Sequence, residues 1–468
     1  MTSWHNKPSI AVEQRTIYPP VHRLPPEIMS KIFLSCLGSS NSSHVNIPRC
    51  SIRSPPLSIS FVCQSWRTLA LQIAQLWAAI AIGNEDDDGK LDTDRVKEWM
   101  ARSHRCLFSL EVTFPRTVLE NQNHMVSIIS EKFARWKVLR LRVPGTTTHV
   151  KPLMLFTGDS VPQLEEYRLE YCSPHSLRTW WFLESVSRQL STLCLQRSPF
   201  FFRPNGKSPY NLQHAYIDTL SGAAAFLAII AKCPFLQVFQ CVIVPNGVDH
   251  VPSSAVITST AMHTLKISTD HYNIGHLLET LHLPSLERLT TDRRPRDFPT
   301  LFPHLRSMIE RSRPPLRELG IWGNILAEDA IEILRLIPGL KSIGGDFMFT
   351  QSDFAVLKAM APNVPGKRPL CPQVERFTVR LFSDEADRKL AWMLSSRWDR
   401  AVPQTSQPSL NDATINERTV SPPLNVVILG NADVGEAFSS TLGVSRCVRK
   451  GTKITTQSFE SLLYNPSF

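Results

Sequence analysis

The sequence predicts an α+β protein in which a small module of three helices precedes a larger, irregular α/β repeat solenoid. The first observation is the helical spacing of apolar residues within residues 21–82. The second is a short unit, Leu-x-x-Leu-x-Leu, that recurs between residues 136 and 379. A single globular α/β domain is the competing interpretation of this second pattern.

The first helix of the module is predicted from a short apolar stripe. Ile28, Ile32 and Phe33 follow Pro25 and Pro26. Proline costs the start of a helix nothing, because the first amide hydrogens of a helix have no partner within it. The run therefore predicts a first helix of about three turns.

A second, longer helix is predicted after a polar insert at residues 38–56. Its apolar stripe comprises Ile59, Val62, Cys63, Trp66, Leu69, Ala70 and Ile73, and residues 76–80 predict a third short element. Three helices in about 60 residues bury too small a fraction of their surface to be stable alone. We therefore expect apolar surface that a partner covers.

Residues 21–82 resemble the F-box. The matching runs are Leu24-Pro25-x-Glu27-Ile28-x3-Ile32-Phe33, Leu57-x3-Phe61-Val62-Cys63-x2-Trp66-Arg67-x2-Ala70 and Leu76-Trp77. The resemblance implies docking on the Skp-type adaptor of an SCF-type ubiquitin ligase, and through it on a cullin, while the rest of the chain recruits a protein target. The residues that it places at the adaptor are Leu24, Pro25, Glu27, Ile28, Ile32, Phe33, Val62, Cys63, Trp66 and Arg67.

The insert at residues 37–56 departs from the typical F-box, which is shorter there. Similarly long inserts are familiar in F-box proteins of mushroom-forming fungi. Such an insert can loosen the module without abolishing docking. The alternative is that the matching positions are only the core of an unrelated three-helix unit.

Composition predicts a globular protein inside the cell, in the cytoplasm or nucleus. Of the 468 residues, 42% are hydrophobic and 20% are charged. The sequence contains no uninterrupted run of about 20 apolar residues, so no membrane span is predicted, and the first residues do not resemble a signal peptide. The 10 cysteines contain no Cys-x2-Cys pair, so neither a zinc site nor a disulfide framework is expected.

The net charge of +10 is spread along the chain. Lys and Arg outnumber Asp and Glu by 18 to 12 in residues 1–150, 13 to 12 in residues 151–300 and 20 to 17 in residues 301–468. Nucleic-acid-binding proteins concentrate basic charge on one face. Neither nucleic acid nor a membrane is therefore an expected partner.

Ten repeat units are predicted in the larger part of the chain. They start at Trp136, Leu164, Leu190, Leu212, Leu236, Met262, Leu286, Leu316, Leu340 and Val374, which are 22 to 34 residues apart. This spacing is typical of leucine-rich repeats, in which each unit supplies a strand and a returning helix. The asparagine that usually follows the strand is missing, so we expect irregular turns.

The predicted domains follow from these patterns. They are a flexible N-terminus (1–20), the F-box-like domain (21–82), an acidic linker (83–94), the irregular leucine-rich-repeat domain (95–395), a flexible linker or loop (396–423) and a C-terminal capping repeat (424–468). A cap is expected because an uncapped solenoid exposes its apolar core.

The open face of the repeats is predicted to bind the target. Side chains alternate along a strand, so the third, fifth and seventh positions of each unit face away from the leucines. The target-binding residues predicted there are Arg140, Arg142, Arg168, Tyr216, Asp218, Lys266, Trp322, Arg376 and Arg380. Trp322 is the predicted anchor, because Trp and Arg are frequent at protein interfaces. Alternatively, Trp322 folds back under a neighbouring loop.

No catalytic, cofactor or metal site is predicted. The sequence lacks a phosphate-binding loop, a nucleophile elbow, a His-Glu-x2-His helix and a dinucleotide-binding fingerprint. His263, His271, His276 and His282 are close in sequence, but their spacing places them on different faces. We therefore expect a non-catalytic substrate-recognition subunit of an SCF-type ubiquitin ligase. The alternatives are a leucine-rich-repeat scaffold without a ligase role and an unrecognised enzyme.

Overall fold

The computed structural model of the chain shows mixed α and β structure dominated by one long parallel sheet. The structure describes residues 23–37, 47–83, 93–114, 120–131, 133–143, 162–171, 189–196, 210–245, 256–269, 274–293, 302–322, 326–345, 355–361, 370–379, 388–394, 425–429 and 453–457. The predicted N-terminus 1–20, the acidic run 85–88 and the predicted linker 396–423 lie outside these residues.

The sheet contains 14 strands, which follow each other in chain order. The strands of the chain are β1 (Ala79–Ile82), β2 (Phe108–Thr113), β3 (Trp136–Val143), β4 (Glu166–Tyr171), β5 (Thr192–Gln196), β6 (His214–Ser221), β7 (Val238–Val244), β8 (Ile257–Thr258), β9 (Thr264–Thr269), β10 (Leu281–His282), β11 (Arg288–Arg293), β12 (Glu318–Trp322), β13 (Ser342–Gly345), β14 (Arg376–Val379), β15 (Asn425–Leu429) and β16 (Lys453–Gln457). Among the strands of the described residues, only β8 and β10 lie outside the long sheet, and they pair with each other.

The helices of the described residues lie between the strands or before β1. They are α1 (Pro26–Ser35), α2 (Leu57–Ser60), α3 (Gln64–Gln72), α4 (Thr93–Arg102), α5 (Glu120–Glu131), α6 (Ala223–Lys232), α7 (Gly275–Glu279), α8 (Phe302–Ser312), α9 (Ala327–Leu336) and α10 (Ala355–Met360). Residues 388–394 are also helical. None of these helices has both the length and the apolar composition that crossing a bilayer requires.

The positions of the predicted repeat unit coincide from strand to strand. Leu139 pairs with Tyr167, which pairs with Leu193, and Leu141 pairs with Leu169. All five side chains are buried in one apolar core. Every neighbouring pair in the long sheet is parallel, an arrangement that is compatible with a repeat solenoid.

The second predicted helix is interrupted in the structure. Helix α2 ends at Ser60, and α3 begins only at Gln64. Between them Cys63 adopts an extended conformation, and its Sγ accepts a hydrogen bond of 3.5 Å from the Trp66 amide. Cys63 therefore caps α3, and the prediction of one continuous helix was wrong at this point.

The third predicted element of the module is a 3-10 helix, Ala74–Trp77, followed by β1. Strand β1 is the first strand of the long sheet and pairs with β2, with Ile80 opposite Leu110. The predicted domain boundary at residue 82 therefore falls between two neighbouring strands of one sheet.

Tryptophan side chains join the helices before β1 to the sheet. Trp77 is fully buried, and its ring lies 4.8 Å from that of Trp99 in α4, at an interplanar angle of 71°. The indole nitrogen of Trp77 donates a 2.9 Å hydrogen bond to the carbonyl of Ala70. One apolar core contains these residues, Phe33 and the leucines of the strands.

Candidate functional site

An apolar surface lies on the helices before β1. Leu24 just precedes α1, and Ile28 and Ile32 follow at intervals of four residues, so the three side chains line one side of the helix. Their exposed fractions are 39%, 42% and 40%, and that of Val62, between α2 and α3, is 58%. We call Leu24, Pro25, Ile28, Ile32 and Val62 the module surface.

Two charged residues predicted at the adaptor are also exposed. Glu27 lies in the first turn of α1, and Arg67 lies in α3. The guanidinium of Arg67 is 5.9 Å from the centre of the Phe61 ring. Phe61 is 61% exposed and belongs to the F-box-like run, although it was not among the residues predicted at the adaptor.

Three other predicted adaptor residues face inward. Phe33 is fully buried, and Cys63 and Trp66 are half-buried. Phe33 packs against Trp66, and Cys63 caps the helix that carries Trp66. These residues support the module surface and do not form it.

The second candidate surface is the face of the long sheet opposite to the leucines of the predicted repeat units. Fifth positions of the predicted units stack along it in register, as the row Arg140, Arg168, Cys194, Tyr216, Gln240 and Lys266, and Glu111 of β2 continues this row beside Arg140. The positions predicted to face away from the core therefore do lie together on one side of the sheet.

Arginine and glutamate side chains form a network on this face. Arg140 donates to both carboxylate oxygens of Glu166, at 2.9 and 3.2 Å, and Arg168 donates to the same carboxylate at 2.8 Å. Arg140 also reaches Glu111 at 3.3 Å, and Arg142 reaches Glu170 at 2.9 Å. Three of the five predicted target-binding arginines, Arg140, Arg142 and Arg168, are thus already paired with a glutamate.

The network perturbs the pKa of Glu166. Burial raises this pKa, but the hydrogen bonds and charges of Arg140 and Arg168 lower it by more, so it lies below the ordinary value. For Arg140, burial lowers the pKa, while Glu166 and Glu111 raise it above the ordinary value. Both groups are therefore charged at neutral pH.

A cavity of about 540 Å³ opens over this network. Its charged lining residues are Arg49, Glu111, Arg140, Arg142, Arg168 and Glu170, and its polar lining includes Thr113 and Gln196. Arg49 enters the site through a bridge to Ala81 of β1. We call this site the groove. Sequence reasoning missed Arg49, which lies in the polar insert, far in sequence from the repeats.

Tyr216 and Asp218 lie beside the groove. Both are half-buried, and with Arg168 and Cys194 they line a smaller cavity of about 40 Å³. Burial raises the pKa of the Cys194 thiol to about 11. Cys194 is therefore a neutral thiol at neutral pH, which does not favour a nucleophilic role.

Trp322 does not lie on an open surface, so its prediction as an exposed anchor was wrong. It projects from the predicted face but is only 4% exposed, because it packs with Val427 and Leu429 of β15. Added Cβ atoms on Gly320 and Gly344 would both lie 3.4 Å from its indole. The indole therefore packs close to the backbone of both glycines, at ordinary van der Waals distance from these positions.

The remaining predicted target residues are also not part of the groove. Lys266 is 6% exposed, so it is not available as predicted; burial lowers its pKa to about 8, although Asp292 acts in the opposite direction. Arg376 is half-buried in β14, far along the sheet. Arg380 lies outside the described residues.

Comparison with known proteins adds no identification: no protein-family model and no curated protein matches the chain. The module surface and the groove are therefore the two features of the chain that indicate a function.

Proposed function

We propose that the chain is a substrate-recognition subunit of an SCF-type ubiquitin ligase, without catalytic activity of its own, acting in the cytoplasm or nucleus. Residues 21–82 would be an F-box-like module built on α1, α2 and α3, and the strands from β2 onward would be irregular leucine-rich repeats. The observation that carries the proposal is the exposure of Leu24, Ile28, Ile32 and Val62. These are apolar residues at positions that the F-box resemblance places at the adaptor.

The two sides of helix α1 differ in burial. Met29 and Phe33 are the buried residues of α1 and attach it to the core, so Ile28 and Ile32 are not needed to hold it. Leaving apolar side chains in water forgoes about 25 cal/mol for each Å² that burial would remove. A partner that covers the module surface recovers this free energy, and the supported helix presents the surface at little entropic cost.

The groove is the proposed site for the protein target. Its arginines are paired with glutamates, so it offers donors and acceptors side by side. A segment of mixed charge fits such a surface better than the purely acidic segment that unpaired arginines would favour. Arg49 is exposed and adds positive charge at the β1 end of the groove.

The proposal is tested with the purified full-length chain and a Skp-type adaptor bound to a cullin. The adaptor should co-purify with the wild-type chain, and Ile28→Glu with Ile32→Glu should reduce its affinity at least 100-fold, because both carboxylates would be buried in an apolar interface. Ile52→Glu is the matched control, since Ile52 is 68% exposed and was not predicted at the adaptor.

Two outcomes would contradict this function. One is absence of adaptor binding by the folded wild-type chain. The other is equal adaptor binding by the double variant and the control. Retained binding of a protein target in either case would favour the alternative, a leucine-rich-repeat scaffold without a ligase role, because the groove does not include the module surface.

A further inference from the structure

Two histidines and a glutamate meet where α7 packs against α8. His276 and Glu279 are three residues apart on α7, which places them on one side of that helix. His304 comes from the first turn of α8. One ligand atom from each residue lies within 4.8 Å of the other two.

The spacing of these atoms fits metal coordination. Nδ1 of His304 lies 2.7 Å from Oε1 of Glu279, and Nδ1 of His276 lies 3.6 Å from Oε2 of the same carboxylate. Ligands at about 2.0–2.1 Å from a tetrahedral zinc ion are roughly 3.4 Å apart. The spacing of His276 and Glu279 is therefore close to that of two zinc ligands, whereas the contact of His304 with Glu279 would lengthen by about 0.7 Å when an ion enters.

His304 is held in this position by the structure around it. A Cβ atom on Gly275 would lie 2.3 Å from Cδ2 of His304, so the ring can occupy its place only because residue 275 is a glycine. Nδ1 of His304 is shielded from solvent and faces the Glu279 carboxylate, 2.7 Å away. The packing therefore aims a ring nitrogen at the carboxylate, which places two potential metal ligands from different helices side by side.

The choice of ion follows from the donor atoms. Imidazole nitrogen suits Zn²⁺ and neighbouring transition metals, whereas Mg²⁺ and Ca²⁺ prefer oxygen ligands. Three protein ligands leave at least one coordination position for water or for a group from a partner.

We propose that His276, Glu279 and His304 form a zinc-class metal site that links the helices α7 and α8. The ion would connect the segment that follows β9 with the segment that follows β11, so it would stabilise the stacking of neighbouring units. This inference does not depend on the proposed ligase function, because none of the three residues belongs to the module surface or to the groove.

The experiment uses the metal-free full-length chain. Calorimetric titration should show that the wild-type chain binds Zn²⁺. Its affinity for Zn²⁺ should fall at least tenfold in the single variant Glu279→Gln and in the double variant His276→Gln/His304→Gln. Co²⁺ should give visible d–d absorption that both variants lose, and Mg²⁺ should not compete. His124→Gln, which changes an exposed histidine of α5, should bind as the wild type does.

A second measurement covers the case in which His304→Gln disturbs the packing of α7. Zn²⁺ should raise the melting temperature of the wild-type chain and of His124→Gln, and should raise it less in Glu279→Gln, which alters only a half-exposed carboxylate. Equal Zn²⁺ affinity and equal stabilisation in Glu279→Gln and the wild type would overturn the proposal.

Discussion

Phe33 and Trp66 pack together with ring centroids 5.0 Å apart and planes inclined by 53°. Phe33 belongs to α1 and Trp66 to α3, so their contact joins the two helices that carry the module surface. The F-box-like motif contains both buried and exposed residues. Phe33 and Trp66 pack inward, whereas Leu24, Ile28, Ile32 and Val62 remain on the surface.

The first prediction compares the two groups by stability. Phe33→Ala should lower the free energy of unfolding by about 3–5 kcal/mol, because it removes a fully buried aromatic ring. Ile32→Ala should lower it by less than about 1 kcal/mol, because Ile32 is 40% exposed. Urea unfolding of the full-length chain measures both. Similar losses in the two variants would show that Ile32 is part of the core.

The second prediction concerns the joint between the helices before β1 and the sheet. Trp99→Ala should destabilise both parts by about 3–5 kcal/mol, because Trp99 packs on Trp77. Hydrogen exchange should therefore become faster in α3 as well as in β2 and β3. Trp392→Ala is the control, because Trp392 is 46% exposed. Unchanged exchange in α3 would indicate that the two parts are separate cooperative units.

The third prediction is a pH dependence at Glu166. Its folded pKa is below the ordinary value, so its ion pairs stabilise the protein above the unfolded pKa, about 4.3. That stability is lost as the pH falls through the folded pKa. Glu166→Gln should cost about 3 kcal/mol at pH 7, and its difference from wild type should shrink in acid.

Glu170→Gln is the matched control for this measurement. Its partner Arg142 is 42% exposed, so solvent weakens the pair and the expected cost is at most about 1 kcal/mol. A cost for Glu166→Gln that stays constant from pH 7 to acid would contradict the assignment, because protonation of Glu166 should make the wild type resemble the variant.

The fourth prediction concerns buried Lys266. Its folded pKa of about 8 is below the ordinary 10.5, because burial disfavours the charged form. The resulting penalty is complete below pH 8 and is relieved as the pH rises from the folded toward the unfolded pKa. Lys266→Met should therefore be more stable than wild type at pH 7, by up to about 3 kcal/mol, with a difference that narrows by pH 10.

Thermal unfolding at both pH values tests this prediction, with Lys341→Met as the control on an exposed lysine. A less stable Lys266→Met at pH 7 would mean that the attraction between Lys266 and Asp292 outweighs the cost of burying the charge.

The strands and their two faces were predictable because the same unit recurs along the chain. A unit that matches the pattern poorly can be assigned from the spacing of the units on either side of it. The cover over Trp322 was not predictable in this way. Val427 and Leu429 are more than 100 residues away in sequence, so no local pattern around Trp322 indicates that they cover it.

The histidine cluster shows a similar limit. The four histidines of residues 263–282 do not predict it, because in the structure His276 meets Glu279 on its own helix and His304 on the next one. The break between α2 and α3 at Cys63 also had no clear signal in the sequence. The helical spacing of apolar residues continues across Cys63, whereas the helix itself is interrupted there.

In the proposed ligase subunit, the pairing of β1 with β2 relates the position of a target on the sheet to its distance from the adaptor. If the adaptor holds α1, each strand further along the sheet places a target about 4.8 Å further from the adaptor. A target bound over β3 and one bound over β9, five strands further on, would differ in position by roughly 24 Å. The place where a target binds along the sheet would therefore select which of its lysines ubiquitin can reach.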